Sequence, residues 1–370
     1  MILFICNTPF QVMNALNIIN DRLQDEKIDM YITDGASQNY DIYGKLKELN
    51  IFHKIYFIKF KELQASLGTN KLFNYVRRTI SVFQNEKYYK KMCDDFNVIS
   101  IYDKIYAELP DYKLQIIYTY QSRYNPNVEV LLYEDGVASY SFIDAVRNRS
   151  FLKQKLHKLF FGDKLDTGLK GMLLYKPEFI NNIGLFPIEK IHAIDKSNTR
   201  LKNFYNSIFQ FKDDYLLPFH QKKYIYFDQP FGNKEIDLES EGILEIILSH
   251  NERDNTIIKL HPRTSEHRYD NQCTISNDPI SFEIIELNAD IDNMALISVF
   301  STACLNPKII FDEEPYVILL FKLVDITRLS HVNEQTFDIV YRVRDSYKNP
   351  NKFFIPETIQ ELKQILTSLK

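Results

Sequence analysis

Short apolar runs alternate with longer amphipathic stretches over roughly the first 135 residues. Five runs have the length of strands: residues 2–6, 30–33, 54–58, 104–107 and 128–133. Four stretches have the character of helices: residues 9–22, 42–49, 72–96 and 109–121. This alternation predicts a parallel, doubly wound α/β sheet.

A second unit of the same kind follows the polar, proline-containing segment at residues 213–223. The pattern predicts strands at residues 224–227, 256–260, 295–300 and 316–321, and helices at residues 238–249, 281–287 and 357–369. Two Rossmann-like halves in one chain resemble the GT-B architecture, in which a cleft separates the domains. We place the domains at residues 1–215 and 216–345, and expect the helix within residues 346–370 to pack back on the first domain.

Composition narrows the class of protein. The 370 residues are enough for two separate cores, and 45% hydrophobic residues is ordinary for a folded protein. A formal net charge of -4 argues against a nucleic-acid binder. No apolar run reaches the roughly 18 residues of a membrane span, and the amino-terminal run is too short for a signal peptide, so we expect a cytoplasmic protein.

The cysteines support a reducing compartment. They are scattered, with no pair at metal-ligand or redox spacing: Cys6, Cys93, Cys273 and Cys304. We therefore interpret them as small buried apolar residues.

The most informative motif is Lys259-Leu260-His261-Pro262-Arg263, which follows an apolar run. This pattern predicts a buried strand that delivers an imidazole to its carboxyl end, the edge where open α/β sheets bind ligands. Proline restricts the residue before it to extended geometry, so the ring of His261 is held in a set direction. The alternative is a half-buried histidine satisfied by its neighbours.

A second motif offers a phosphate site. No Gly-rich dinucleotide loop or Walker sequence is present, so phosphate must bind elsewhere. Phe300-Ser301-Thr302-Ala303 ends a predicted strand, and its hydroxyl residues open a helix. Free N–H groups, the helix dipole and two hydroxyls would then face an anion. A plain helix N-cap is the alternative.

Acidic residues supply candidate bases. Glu134-Asp135-Gly136 ends a predicted strand, and glycine lets the chain turn sharply there. A carboxylate at that edge could deprotonate a sugar hydroxyl, whereas the alternative is a solvated acid in a turn. Glu283 could hold the two hydroxyls of a ribose, or it could simply be an acid at a helix N-terminus.

Two further patterns support weaker hypotheses. Asp290-Ile291-Asp292 matches an Asp-x-Asp pattern used for metal-bound sugar nucleotides, but so short a pattern often arises by chance. Residues 147–170 interleave Lys and Arg with Phe and Leu, and could rest on an anionic membrane surface that carries a lipid-linked acceptor. A helix with a solvated charged face is the alternative.

Taken in order, four motifs resemble bacterial sialyltransferases of glycosyltransferase family 52 over nearly the whole chain: Asn7-Thr8-Pro9-Phe10-Gln11, Tyr133-Glu134-Asp135-Gly136, His261-Pro262-Arg263 and Phe300-Ser301-Thr302-Ala303. The resemblance implies a GT-B fold, CMP-sialic acid as donor, inversion at the anomeric carbon, and no metal or other cofactor. It also implies a galactoside acceptor on a capsule or lipooligosaccharide, bound on the side of the first domain, with CMP on the second.

By the same resemblance, His261 meets the departing CMP phosphate, with Pro262 and Arg263 beside it. Ser301 and Thr302 hold that phosphate. We expect this imidazole and these two hydroxyls to converge on one phosphate group.

The remaining site residues are also assigned by resemblance. Glu283 matches the acid that grips the ribose. Four residues of the first domain belong to the substrate side of the cleft: Thr8, Pro9, Gln11 and Gly136.

One departure leaves the base open. The lipooligosaccharide relatives carry an Asp directly after the Pro that ends the strand before the His-Pro strand, whereas here Pro230 is followed by Phe231. We favour the pair before Gly136. The candidate bases are Asp135 and Glu134 and, in the loop, Asp228, Glu235 and Asp237.

Two other functions remain as alternatives. One is a transferase that uses another nucleotide sugar, such as a UDP-hexose, in surface polysaccharide synthesis. The other is a non-catalytic nucleotide-binding protein of a capsule complex. A homodimer is compatible with these observations.

Overall fold

The computed structural model describes residues 1–61, 63, 80–94, 99–137, 139–140, 168–180, 187–229, 231, 234–251, 253–261, 264, 269, 274–276, 280–325 and 334–370. These residues form two compact units. Unit 1 comprises Met1–His192 and Ser207–Phe209, and unit 2 comprises Ala193–Asn206 and Gln210–Lys370.

Unit 1 contains a parallel seven-stranded sheet in the order β3-β2-β1-β4-β5-β6-β7. Its strands are β1 (Ile2–Cys6), β2 (Ile28–Thr33), β3 (Lys54–Ile58), β4 (Lys104–Ala107), β5 (Glu129–Tyr133), β6 (Leu169–Leu174) and β7 (Ile188–Lys190). Its described helices are α1 (Pro9–Arg22), α2 (Asn39–Leu49), α3 (Asn85–Met92) and α4 (Tyr112–Tyr124).

Unit 2 contains a parallel six-stranded sheet in the order β10-β9-β8-β11-β12-β13. Its strands are β8 (Tyr224–Phe227), β9 (Thr256–Lys259), β10 (Thr274–Ser276), β11 (Ala295–Ser298), β12 (Tyr316–Leu319) and β13 (Phe353–Phe354). The helices are α5 (Thr199–Ile208), whose last two residues group with unit 1, α6 (Lys234–Asn251), α7 (Phe282–Asn288), α8 (Glu334–Asp345) and α9 (Ile359–Ser368). The predicted α/β fold with two Rossmann-like units is confirmed.

Burial explains why the central strands read as continuous apolar runs. Every residue of β1 is at most 4% exposed, as expected for a parallel strand that is covered on both faces. The three described cysteines, Cys6, Cys93 and Cys304, are buried free thiols. Cys273 lies outside the described residues.

The expected domain boundary at residue 215 lies inside unit 2. The backbone N–H of Ile194 donates to the carbonyl of Ile310 at 2.9 Å, and Lys196 Nζ lies 2.8 Å from Glu313 Oε1. These contacts hold the segment that begins at Ala193 in unit 2.

The last helix contributes to the core of unit 2. The buried Leu362 and Leu366 of α9 belong to this core, together with Leu244 and Leu248 of α6. Packing of this helix on the first domain stays a prediction.

Among the described residues, no helix has both the length and the apolar content needed to cross a bilayer. Most of the basic stretch at 147–170, namely residues 147–167, lies outside the described residues.

Candidate active site

The sheet of unit 1 brings three polar strand ends together. The strand order reverses direction at β1, which lies between β2 and β4, and α/β sheets bind ligands beside the carboxyl ends at such a switch point. Asn7 follows β1, Glu108 follows β4, and the Glu134-Asp135 pair follows β5. Because β1, β4 and β5 are neighbours, these side chains lie at one edge.

Asp135 is half-buried and firmly positioned. Its Oδ1 accepts a hydrogen bond from Gln11 Nε2 at 2.9 Å, and its backbone N–H donates to Ser139 Oγ at 2.6 Å. Within the described part of the chain, no hydrogen bond reaches Oδ2. Burial raises the pKa of Asp135 to about 6, although Gln11 and Lys113 act to lower it. This carboxylate can accept a proton near neutral pH.

Gly136 makes this arrangement possible. Its φ of 68° lies in the left-handed region, where a residue with a Cβ is strained. The chain can therefore turn immediately after Asp135, which explains the glycine of the motif.

The sequence Asn7-Thr8-Pro9-Phe10-Gln11 begins helix α1. Thr8 is the N-cap, with its Oγ1 accepting from the Gln11 backbone N–H at 3.2 Å, and Pro9 is the first helical residue. Gln11 is 2% exposed, and its Oε1 accepts from the Asn7 backbone N–H at 2.6 Å. Its Nε2 is thereby directed to Asp135. That Thr8 and Pro9 also contact substrate stays a prediction.

Glu134 is fully buried and has a structural environment. Its Oε2 accepts from the Tyr140 hydroxyl and from the Tyr175 backbone N–H, both at 2.8 Å, and its carbonyl accepts from Asn14 Nδ2 at 3.0 Å. Burial raises the pKa of Glu134 to about 8. Of the acidic pair, Asp135 is therefore the more exposed carboxylate.

We predict that Glu134→Gln changes the pH dependence of stability. The folded-state pKa is raised above the unfolded value of 4.5, so the folded protein holds a proton that the unfolded chain releases between about pH 4.5 and about pH 8. Over that window, wild-type stability from this group falls as pH rises, by up to ~1.4 kcal/mol per pH unit. Gln imitates the protonated acid. The melting temperature of the variant should therefore rise relative to that of wild type between pH 5 and about pH 8. A constant difference across this range would contradict the assignment.

Three residues at this edge were missed by the sequence analysis as site residues: Asn7, Glu108 and Lys113. Asn7 Nδ2 donates to Glu108 Oε1, and Asn7 Oδ1 accepts from Lys113 Nζ at 2.5 Å. Gly35 packs against Asn7, because a Cβ added at Gly35 would lie 2.5 Å from the Asn7 carbonyl oxygen. The available signal was that Asn7 and Glu108 each directly follow an apolar strand.

In unit 2, His261 is half-buried and lies two residues beyond β9. Its carbonyl accepts from the Thr264 backbone N–H at 2.8 Å. Asp228, which follows the neighbouring β8, is 3% exposed and accepts from Tyr269 OH at 2.6 Å and from Thr264 Oγ1. Asp228 thus holds the loop after His261 in place. Its role as a base stays a prediction.

Only some of the other residues predicted in this loop region are described by the structure. Asp237 Oδ1 accepts from the Phe231 backbone N–H at 3.0 Å, which ties α6 to the preceding loop. The side chain of Glu235, and residues Pro230, Pro262 and Arg263, lie outside the described residues.

A residue that follows β8 holds the Ser301-Thr302 motif in place. Gln229, a residue that the sequence analysis missed, accepts from the Phe300 backbone N–H at 2.7 Å and donates to the Phe300 carbonyl. Ser301 Oγ accepts from the Ala303 backbone N–H at 3.3 Å. Thr302 is exposed, and its hydroxyl makes no hydrogen bond to any described residue.

The helical segment after this motif is irregular. Thr302–Cys304 form one 3₁₀ turn, and Pro307–Phe311 form a single π-helical segment. Pro307 has no N–H to donate to a preceding carbonyl, so a regular α-helix cannot run through it. The contribution of a helix dipole stays a prediction, and Ser301 acts locally as a turn cap.

Glu283 lies in the first turn of α7 and is 8% exposed. Its Oε1 accepts from Asn306 Nδ2 at 2.7 Å, which links α7 to the segment after Ser301-Thr302. Because β9, β8 and β11 are consecutive in the sheet, His261 and Ser301 follow strands about 10 Å apart. Their convergence on one phosphate, and a ribose contact by Glu283, stay predictions.

Asp290 and Asp292 form a turn on the surface. Asp290 Oδ1 accepts from the Asp292 backbone N–H at 3.1 Å. In the described part of the chain, no group of three or more His, Cys, Asp or Glu side chains has a metal-binding arrangement.

Comparison with known proteins identifies the family. The model of the alpha-2,8-polysialyltransferase (POLYST) family matches residues 2–320. The chain belongs to this family. The sialyltransferase relationship expected from the sequence is confirmed, and the protein is a glycosyltransferase. No curated protein matches the chain.

One solved structure supports the fold. The glycotransferase of kitacinnamycin has a TM-score of 0.51 and 8% identity, with 100% of this chain and 90% of that chain covered. UDP-GlcNAc 2-epimerase from Neisseria meningitidis has a TM-score of 0.48 and 12% identity, with 99% and 98% covered. The first likeness shows that this polysialyltransferase-family chain has the GT-B fold.

Proposed function

We propose that the protein transfers sialic acid from CMP-sialic acid to the end of a bacterial surface glycan, with inversion and without a metal. The observation that carries this proposal is the family match across both units, combined with Asp135 held at a strand end by Gln11. The α2,8 linkage in the family description joins one sialic acid to another. A glycan that ends in sialic acid is therefore the acceptor that we favour over the galactoside expected from the sequence.

In the proposed reaction, the bond between the anomeric carbon and the CMP phosphate oxygen breaks, and the phosphate keeps the electron pair. A new bond forms from the acceptor oxygen to the anomeric carbon. Asp135 takes the proton of the acceptor hydroxyl. The transition state resembles an oxocarbenium ion, so negative charge grows on the departing phosphate.

His261 would stabilise that charge by donating a hydrogen bond or its proton to the phosphate oxygen. Ser301 and Thr302 would add neutral hydroxyl donors. The exposed Thr302 hydroxyl, free of hydrogen bonds to described residues, supports this role most directly. Glu283 would accept hydrogen bonds from the ribose hydroxyls.

The test is transfer by the full chain. The protein is incubated with CMP-sialic acid and either a lactoside or a disialylated lactoside, and the products are read by mass spectrometry. We expect sialyl addition to the disialylated acceptor, unchanged by EDTA. If sialic acid is added to the lactoside and not to the disialylated lactoside, the acceptor is the galactoside expected from the sequence.

Nucleotide binding separates the alternatives. CMP should raise the melting temperature more than UDP does, because a ligand stabilises the folded state that binds it. Stabilisation by UDP with hexose transfer would favour the UDP-hexose enzyme. CMP binding without transfer or donor hydrolysis would favour the non-catalytic protein.

A further inference from the structure

Glu108 and Lys113 form a buried ion pair that the proposed reaction does not yet use. Lys113 is 1% exposed and Glu108 is 6% exposed, and Lys113 Nζ lies 3.4 Å from Glu108 Oε1. A second carboxylate, Asp111, lies 3.5 Å from the same ammonium. A buried ion pair is weak evidence for stability, because the loss of hydration offsets much of the attraction. Its place beside the candidate base suggests a role in the reaction.

Asn7 connects this pair to α1. Its Oδ1 accepts from Lys113 Nζ at 2.5 Å and from Thr33 Oγ1 at 2.9 Å. Since the amide oxygen faces two donors, Nδ2 must point the other way, and it donates to Glu108. The backbone N–H of Asn7 donates to Gln11 Oε1 at 2.6 Å. The position of Asn7 is therefore transmitted to Gln11.

Gln11 completes a continuous chain of hydrogen bonds. Because its Oε1 faces Asn7, its Nε2 is directed to Asp135 Oδ1 at 2.9 Å. One carboxylate oxygen of Asp135 is thereby held, which leaves the other to meet an acceptor hydroxyl.

We propose that Asn7, Glu108 and Lys113 are positioning residues for sialyl transfer, which act on Asp135 through Gln11. The inference rests on the proposed function, because it requires Asp135 to be the base. It adds residues from β4 and α4 to a site that the sequence motifs placed on β1 and β5.

The charges of the pair give this inference a distinctive test. Burial raises the pKa of Asp135, and the positive charge of Lys113 lowers it. Burial raises the pKa of Glu108 to about 7, and repulsion by Asp135 adds to this rise, although Lys113 acts to lower it. Glu134 faces Asp135 from the adjacent position, Lys176 lies near Glu134, and Asp111 accompanies Lys113.

The two single variants should therefore differ. Lys113→Met removes a positive charge, so the pKa of Asp135 rises and the acidic limb of the kcat/KM profile moves to higher pH, by about one pH unit. Glu108→Gln replaces a carboxyl that is largely protonated below its pKa of about 7, so this variant should leave the limb close to its wild-type position.

The experiment measures sialyl transfer by the full chain from about pH 5 to about pH 9. The variants are E108Q, K113M, the double variant E108Q/K113M and, as the control, K90M. Lys90 pairs with Glu86 on the surface, with 51% of its side chain exposed, so K90M should leave the limb in place. The double variant leaves neither charge of the pair unpaired and should move the limb as K113M does, which keeps the test available if K113M alone does not fold.

A shift of the limb to higher pH in K113M and in the double variant, with E108Q and K90M close to wild type, would establish the positioning role. Loss of rate in K113M without that shift, or a shift to lower pH, would overturn it and leave the pair a purely structural feature. Failure of the proposed function would give a different result, because wild-type protein would then transfer no sialic acid at any pH. In that case the inference would also be wrong.

Discussion

Asp135→Asn should reduce sialyl transfer by about 10²–10⁴-fold, the usual contribution of a general base. The amide oxygen of Asn can still accept the hydrogen bond from Gln11 Nε2, so the local structure should survive. What the variant loses is the ability to take a proton from the acceptor. We would measure kcat under saturating CMP-sialic acid, and the CMP-dependent rise in melting temperature, which should remain.

The matched control for this prediction is Glu134→Gln. This neighbouring carboxylate is buried and held by Tyr140 and Tyr175, so its amide variant should retain transfer near pH 7. Asp237→Asn, which changes a loop acid that holds Phe231, should also remain active. If Glu134→Gln is inactive while Asp135→Asn is active, the base is Glu134 and the assignment to Asp135 is wrong.

The hydrophobic pattern predicted the central strands and their flanking helices well. Strands β1, β3, β4 and β8 and helix α1 have the predicted bounds. A parallel strand buried on both faces is an uninterrupted apolar run, and α1 begins with a Thr cap followed by Pro. The local sequence therefore determines where these strands and this helix lie.

The peripheral elements could not be predicted in the same way. Strands β7 and β10 have three residues each and β13 has two, which is too short for any periodicity to appear. The long strand β6 was also missed, although it pairs with β5. Its pattern includes Lys170 and Gly171, which interrupt the apolar run.

The candidate site was predicted where a motif sits at a strand end, and missed where partners come from elsewhere in the chain. Asp135 was a candidate because glycine follows it. Lys113 was not, because it lies inside a helix and meets Asn7 only after the sheet has placed β4 beside β1. Gln229 was missed for the same reason, since its partner Phe300 is distant in sequence. Sequence separation hides such pairs.

His261→Ala should also lower the rate of CMP release by about 10²–10⁴-fold, as expected when a general acid is lost. The imidazole lies beyond β9, next to the Thr264 that Asp228 holds, and Ala is subject to the same backbone restriction before proline as His. The loop should therefore keep its place while the donor to the departing phosphate is removed. The measurement is single-turnover CMP release with CMP-sialic acid and acceptor.

A matched variant separates the chemistry of His261 from binding. Thr302→Val removes one hydroxyl donor from the proposed phosphate site and should weaken CMP binding with a smaller effect on turnover, because the remaining donors still act in the transition state. His261→Ala should instead lower kcat more than it raises KM, since stabilisation of the departing phosphate increases as its charge develops. A His261→Ala enzyme that releases CMP at nearly the wild-type rate would show that the imidazole is a structural residue of the loop after β9, and the phosphate would then need another donor.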